Sequence, residues 1–131
     1  MSIRWSSLGN GWVAPHFRRH EFECPCCGLF IGNIDLLVSL EKLREALGEM
    51  PMHILSGARC MGRNEAVGGA IGSKHLTGLA ADIVVQQRHP EEVAQAAGKI
   101  ERFSHGGIGV YAHRGFVHLD VRCDGPARWR G

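Results

Sequence analysis

Two stretches of the 131-residue sequence carry side chains suited to a metal site, "SKHLTGLAAD" at residues 73–82 and "FVHLDVR" at residues 116–122. Histidine nitrogen and carboxylate oxygen both bind zinc, and a catalytic zinc takes three protein ligands while leaving a fourth position for water. His75, Asp82 and His118 supply such a set. Spacing alone does not settle the matter, because His-x6-Asp lacks the specificity of paired CxxC motifs and a lone histidine is commonly a hydrogen-bonded surface residue.

The elements that must position these residues follow from local pattern. A helix would place positions 75 and 82 two turns apart on one face, but Gly72 and Gly78 disfavour helix there. The alternative is an irregular, glycine-rich loop over 57–72 that runs into a buried strand, "GLAADIVV" at 78–85, so that His75 folds back over Asp82. "GIGVYAHRGFVHLDVR" reads as two strands, 107–111 and 116–122, joined by a tight turn at "AHRG". On the second of these, side chains alternate: Phe116, His118 and Asp120 share one face, while Val117, Leu119 and Val121 point to the other and toward a core. Around them, "MHILSG" at 52–57 is a short strand. Residues 34–47 form a helix with Ile34, Leu37, Val38, Leu40, Leu43 and Leu47 on its apolar stripe, Asn33 as N-cap and Gly48 as stop. Pro90 opens a second helix, "PEEVAQAAGKIERF", with Glu91 and Glu92 favourably placed against its dipole. The fold class is α+β, a small antiparallel sheet flanked by helices.

Composition bounds the function. Apolar residues make up 44% and charged residues 21%, as expected of one self-supporting domain spanning 1–131, with no repeat or linker to mark a boundary. A formal charge of +2 falls far short of the excess that phosphate contacts demand, so nucleic acid is not an expected partner. The N-terminal "MSIRWSSLGNGWVAPHF" lacks the apolar core of a secretion signal, and no apolar run approaches a membrane span. Synthesis in the cytoplasm is expected, and a target outside the membrane would require another agent for release.

"SGARCMGRNEAVGGAIGSKHLTGLAADI" followed by "GGIGVYAHRGFVHLDVR" resembles the zinc D-Ala-D-Ala carboxypeptidase and L-alanyl-D-glutamate peptidase family, enzymes that cut peptidoglycan peptides. The resemblance runs from about Phe22 to the C-terminal "RWRG" and is strongest to short, phage-endolysin-like forms. It implies a hedgehog/D-Ala-D-Ala-peptidase-like fold and a zinc metallopeptidase acting on the stem peptide. The L-Ala-D-Glu bond is the expected cleavage point. A D-Ala-D-Ala carboxypeptidase or D,D-endopeptidase is the alternative within the enzymes. A non-catalytic zinc-containing wall-binding module, as in the hedgehog signalling domain, is the alternative outside them. The site of action would be the periplasm or cell wall, reached by a monomer with the help of a holin-like partner.

Residue by residue, the family's S-x-H-x6-D motif falls on Ser73, His75 and Asp82 and its second histidine on His118, which makes His75, Asp82 and His118 the metal ligands. Its S-G-x-R turn falls on Ser56, Gly57 and Arg59, implying a substrate-binding or oxyanion-stabilising role for Arg59. Many relatives carry an acid three residues before the last histidine ligand, where this chain has Gly115. Asp120 is then the first candidate for the general base and His113 the second, with a carboxylate that orients His118 as the competing role for Asp120. Ser73, Tyr111 and His113 are the candidate substrate contacts.

Cys24, Cys26, Cys27, Cys60 and Cys123 remain. The CxxC spacing of Cys24 and Cys27, with Cys60, offers part of a structural zinc site, a second ion. A disulfide from the cluster to Cys60 competes, and relatives carrying the same cysteines tilt the expectation toward it.

Overall fold

The computed structural model describes residues 11–23, 33–56 and 79–131, and the elements are numbered within them. A short hairpin, β1 (Trp12–Ala14) and β2 (Phe17–Arg18), runs into a 3-10 turn at Arg19–Glu21. Helix α1 (Ile34–Ala46) follows, then β3 (Met52–Ser56), β4 (Ala80–Val85), α2 (Pro90–Ala97), α3 (Glu101–Ser104), β5 (Gly107–Tyr111), β6 (Phe116–Asp120) and β7 (Ala127–Arg130). The class is α+β, as the sequence pattern indicates.

Helix α1 begins where Asn33 accepts a hydrogen bond from the Leu36 backbone N–H at 3.0 Å, which satisfies one of the free donors of the first turn. It ends before Gly48, whose φ of +82° is costly for any residue with a Cβ. Its buried face carries Leu36, Leu37, Leu40 and Leu43, while Ile34, expected inside, is exposed on the first turn. Glu41 is also buried: its carboxylate accepts from the His16 backbone N–H at 2.7 Å and lies 2.6 Å from His16 Nδ1. That pair fastens the β1–β2 hairpin to the helix, and a polar residue is tolerated inside because its oxygens are met.

The apolar pattern over 90–103 does not make one helix. Gly98 closes α2, Ile100 is extended (φ −90°, ψ 121°), and α3 restarts at Glu101. Glycine is a poor interior helix residue, and the break turns Phe103 fully into the core.

The main sheet has the order β3-β4-β6-β5-β7; its first four strands are antiparallel, and β7 joins β5 in parallel. One face packs Ile83, Val85, Ile108, Val117, Leu119 and Val121 against Leu36, Leu40, Leu43, Val93, Ala97 and Phe103 in a single core cluster. Each of the larger side chains contributes about 1.5–3 kcal/mol on burial. The opposite face carries Asp82, Phe116, His118 and Asp120, because successive strand residues alternate sides.

Leu40→Ala is expected to cost about 2–5 kcal/mol in urea denaturation, and Ile34→Ala less than about 0.5 kcal/mol. Equal losses would contradict this assignment of the helix's buried face.

Candidate functional site

Strand register builds the site. Asp82 on β4 is the direct partner of His118 on β6, His118 of Gly109 on β5, and Gly109 of Trp129 on β7. Directly paired residues present their side chains to the same face, so the row reads carboxylate, imidazole, gap, indole across four neighbouring strands.

Within the row, His118 Nδ1 lies 3.1 Å from Asp82 Oδ1. On its other side, His118 Nε2 lies 2.8 Å from Asp120 Oδ2. A proton on Nε2 donated to Asp120 leaves the Nδ1 lone pair facing Asp82. Two donors each about 2.0–2.1 Å from one tetrahedral zinc stand about 3.3 Å apart, and the observed separation of 3.1 Å fits that requirement with one nitrogen and one oxygen donor. The donor chemistry and spacing of Asp82 and His118 therefore suit a shared metal ion.

Asp120 is fully buried. Its Oδ1 accepts from the Gly107 backbone N–H at 2.8 Å, the Arg122 backbone N–H at 3.2 Å and Arg122 Nε at 2.8 Å. Its Oδ2 accepts from Arg122 Nη2 at 2.7 Å in addition to the His118 contact. A carboxylate has about four lone-pair positions, and these donors occupy them. Burial alone would raise its pKa, but the hydrogen bonds from Arg122 and His118 outweigh burial and hold the carboxyl well below its ordinary range. The stabilisation from ionised Asp120 is thus complete above the usual carboxylate pKa and is lost only as pH falls through the lowered one.

For His118, burial disfavours the charged ring, yet hydrogen bonding and charge from Asp120 and Asp82 prevail and raise its pKa. Its contribution in the charged form is complete below the ordinary imidazole pKa and fades as pH rises through the raised one. The two carboxylates that favour a proton on this ring also favour a cation beside it.

Close approach explains the glycines of "GGIGVY". A Cβ on Gly107 would stand 2.3 Å from Asp120 Oδ2, and one on Gly109 would stand 2.4 Å from the Trp129 indole. With no side chain at Gly109, the indole leans over β5 to within 4.9 Å of the His118 ring at an angle of 49°. Trp129 Nε1 donates to Tyr111 Oη at 2.8 Å, and the Tyr111 ring stacks on Phe116 at 4.5 Å. Tyr111 is therefore on the site face. His113 is exposed in the turn beyond the Tyr111–Phe116 pair and does not join the row. Gly115 closes that turn at φ +75°, a left-handed conformation that glycine adopts without a Cβ penalty.

Of the residues expected at the site, the structure brings Asp82, His118, Asp120 and Tyr111 together. His75, Ser73 and Arg59 lie outside the described residues, as do Cys24, Cys26, Cys27 and Cys60. Among the described residues no group of three or more His, Cys, Asp or Glu is arranged to hold a metal, which leaves two of the three expected ligands in view. Cys123 is exposed with a free thiol. Arg122 and Trp129 escaped the sequence reading. The signals for them were glycines at alternate positions inside a strand, which mark close approach, and an arginine two residues beyond Asp120, in step with the alternation.

A search of curated proteins found no match. The profile of the peptidase M15 family matches residues 3–120, a span that takes in Asp82, His118 and Asp120. With its α+β fold and a histidine and an aspartate paired across the sheet, the chain belongs to the peptidase M15 family, a metallopeptidase family of the zinc D-Ala-D-Ala carboxypeptidase type.

Proposed function

We propose that the chain is a zinc-dependent peptidoglycan peptidase, an endopeptidase that cuts the L-Ala-D-Glu bond of the stem peptide in cell-wall lysis. The observation that carries the metal centre is the facing of His118 Nδ1 and Asp82 Oδ1 at 3.1 Å across adjacent strands. His75 would complete the ligand set from the S-x-H-x6-D motif, and Arg59 would hold the substrate from the S-G-x-R turn. A bound zinc ion supplies Lewis acidity, polarising a scissile carbonyl and making water more acidic.

The residues of this chain perform the supporting steps. Asp82 and His118 are carried by two hydrogen-bonded strands, whose register fixes their backbones opposite each other and brings the two donor atoms within reach. Asp120 acts as the carboxylate that orients His118, accepting a hydrogen bond from Nε2–H and leaving Nδ1 as the ligand atom. This reading is favoured over the general-base role because its lone pairs are already engaged by Arg122, Gly107 and His118. Proton transfer to the leaving amine then falls to another group. Tyr111, on the site face beside Phe116, is the described residue best placed to line the substrate cleft. The chain is proposed to act as a single domain and a monomer in the periplasm or cell wall. No helix among the described residues is long and apolar enough to cross a membrane.

Digestion of purified peptidoglycan, with and without chelator, followed by mass spectrometry tests the activity. New amino termini on D-Glu that vanish with chelator are expected. Release of D-Ala would move the assignment to the D-Ala bonds, and no chelator-sensitive fragment would leave a wall-binding module.

Asp120→Asn is expected to weaken zinc affinity by about 10- to 100-fold together with turnover, with folding checked by circular dichroism. Full zinc affinity with lost turnover would instead assign Asp120 as the base.

A further inference from the structure

We propose that Trp129, carried by the edge strand β7, is a positioning residue for His118. Its indole packs against the imidazole and, with Asp120 at Nε2, keeps Nδ1 aimed at Asp82. The inference rests on the reading of His118 as a metal ligand.

Histidine χ2 is a broad, soft torsion. A hydrogen bond at Nε2 restrains one end of the ring, and the indole, 4.9 Å away and tilted by 49°, occupies space into which the ring would otherwise swing. Trp129 is itself held. Its Nε1 donates to Tyr111 Oη, the Arg122 guanidinium lies 5.6 Å from its ring centre, and Gly109 leaves the room it fills. On the other face of β7, Arg128 donates to the Gly106 and Ser104 carbonyls and Arg130 pairs with Glu91 of α2, so the strand is fastened independently of the indole.

Two substitutions attack the same contact from opposite partners. Trp129→Ala removes the indole, and Gly109→Ala places a Cβ 2.4 Å from where the indole sits. Arg128→Ala is the control: it removes the contacts to Gly106 and Ser104 on the opposite face, while the Arg130–Glu91 pair and the β5 ladder keep β7, and with it the indole, in place. Zinc dissociation constants are measured on the full chain by competition with a chromophoric chelator, alongside Tm. His118–Trp129 nuclear Overhauser contacts are measured on the metal-free protein. Both site-face variants are expected to weaken zinc by about tenfold or more, with Arg128→Ala lowering Tm but not zinc affinity. If Trp129→Ala does not fold, Trp129→Leu takes its place with the same expected loss. Wild-type affinity in the site-face variants, or an equal loss in Arg128→Ala, overturns the inference. Missing Overhauser contacts in the wild-type chain overturn it while leaving the metal reading intact. A wild-type chain that shows those contacts but binds no zinc overturns the metal reading, and this inference with it.

Discussion

A carboxylate with no solvent access survives in a protein only if its charge and lone pairs are met, and in this chain that carboxylate belongs to Asp120. Arg122 meets it with a two-pronged contact, Gly107 with a backbone N–H, and His118 with a ring nitrogen. Each partner carries a structural consequence. Gly107 must lack a side chain, because a Cβ there would collide with the carboxylate. His118 meets it through Nε2, so the nitrogen left to face Asp82 is Nδ1. Arg122, brought over the site by its contact with Asp120, then lies against the Trp129 ring.

The sheet serves two purposes that would conflict on one surface. Its core face is filled by Ile83, Val85, Ile108, Val117 and Leu119, which supply the burial that holds the strands in register. Its other face gathers Asp82, His118 and Asp120, groups that would be costly in that core. Period-two alternation keeps the two sets apart along each strand, and antiparallel pairing aligns them across strands. A one-residue slip of β6 against β4 would move His118 away from Asp82, so the hydrophobic face fixes the geometry of the polar one.

Much of this was legible from the sequence. The alternation in "FVHLDVR" placed His118 and Asp120 on one face, and the apolar stripe with Asn33 and Gly48 bounded α1 to within a residue. What escaped depended on tertiary partners. Glu41 is polar yet buried, because His16, 25 residues away, satisfies it. The stretch 90–103 kept a helical period, but Gly98 and an extended Ile100 split it. Strand β7, "ARWR", has no apolar stripe to announce it; its arginines answer Glu91 and backbone carbonyls on one side, and its tryptophan fills the gap above Gly109 on the other. The pairing of Asp82 with His118 follows from register between strands far apart in sequence, and no local pattern encodes it.

The most direct test of this account is the nitrogen chemistry of His118 in the zinc-loaded protein, read by 15N NMR of the imidazole. The account predicts a metal-bound Nδ1 and a protonated Nε2 that remains hydrogen-bonded to Asp120. A metal-bound Nε2, or an imidazole spectrum unchanged by zinc, would contradict it.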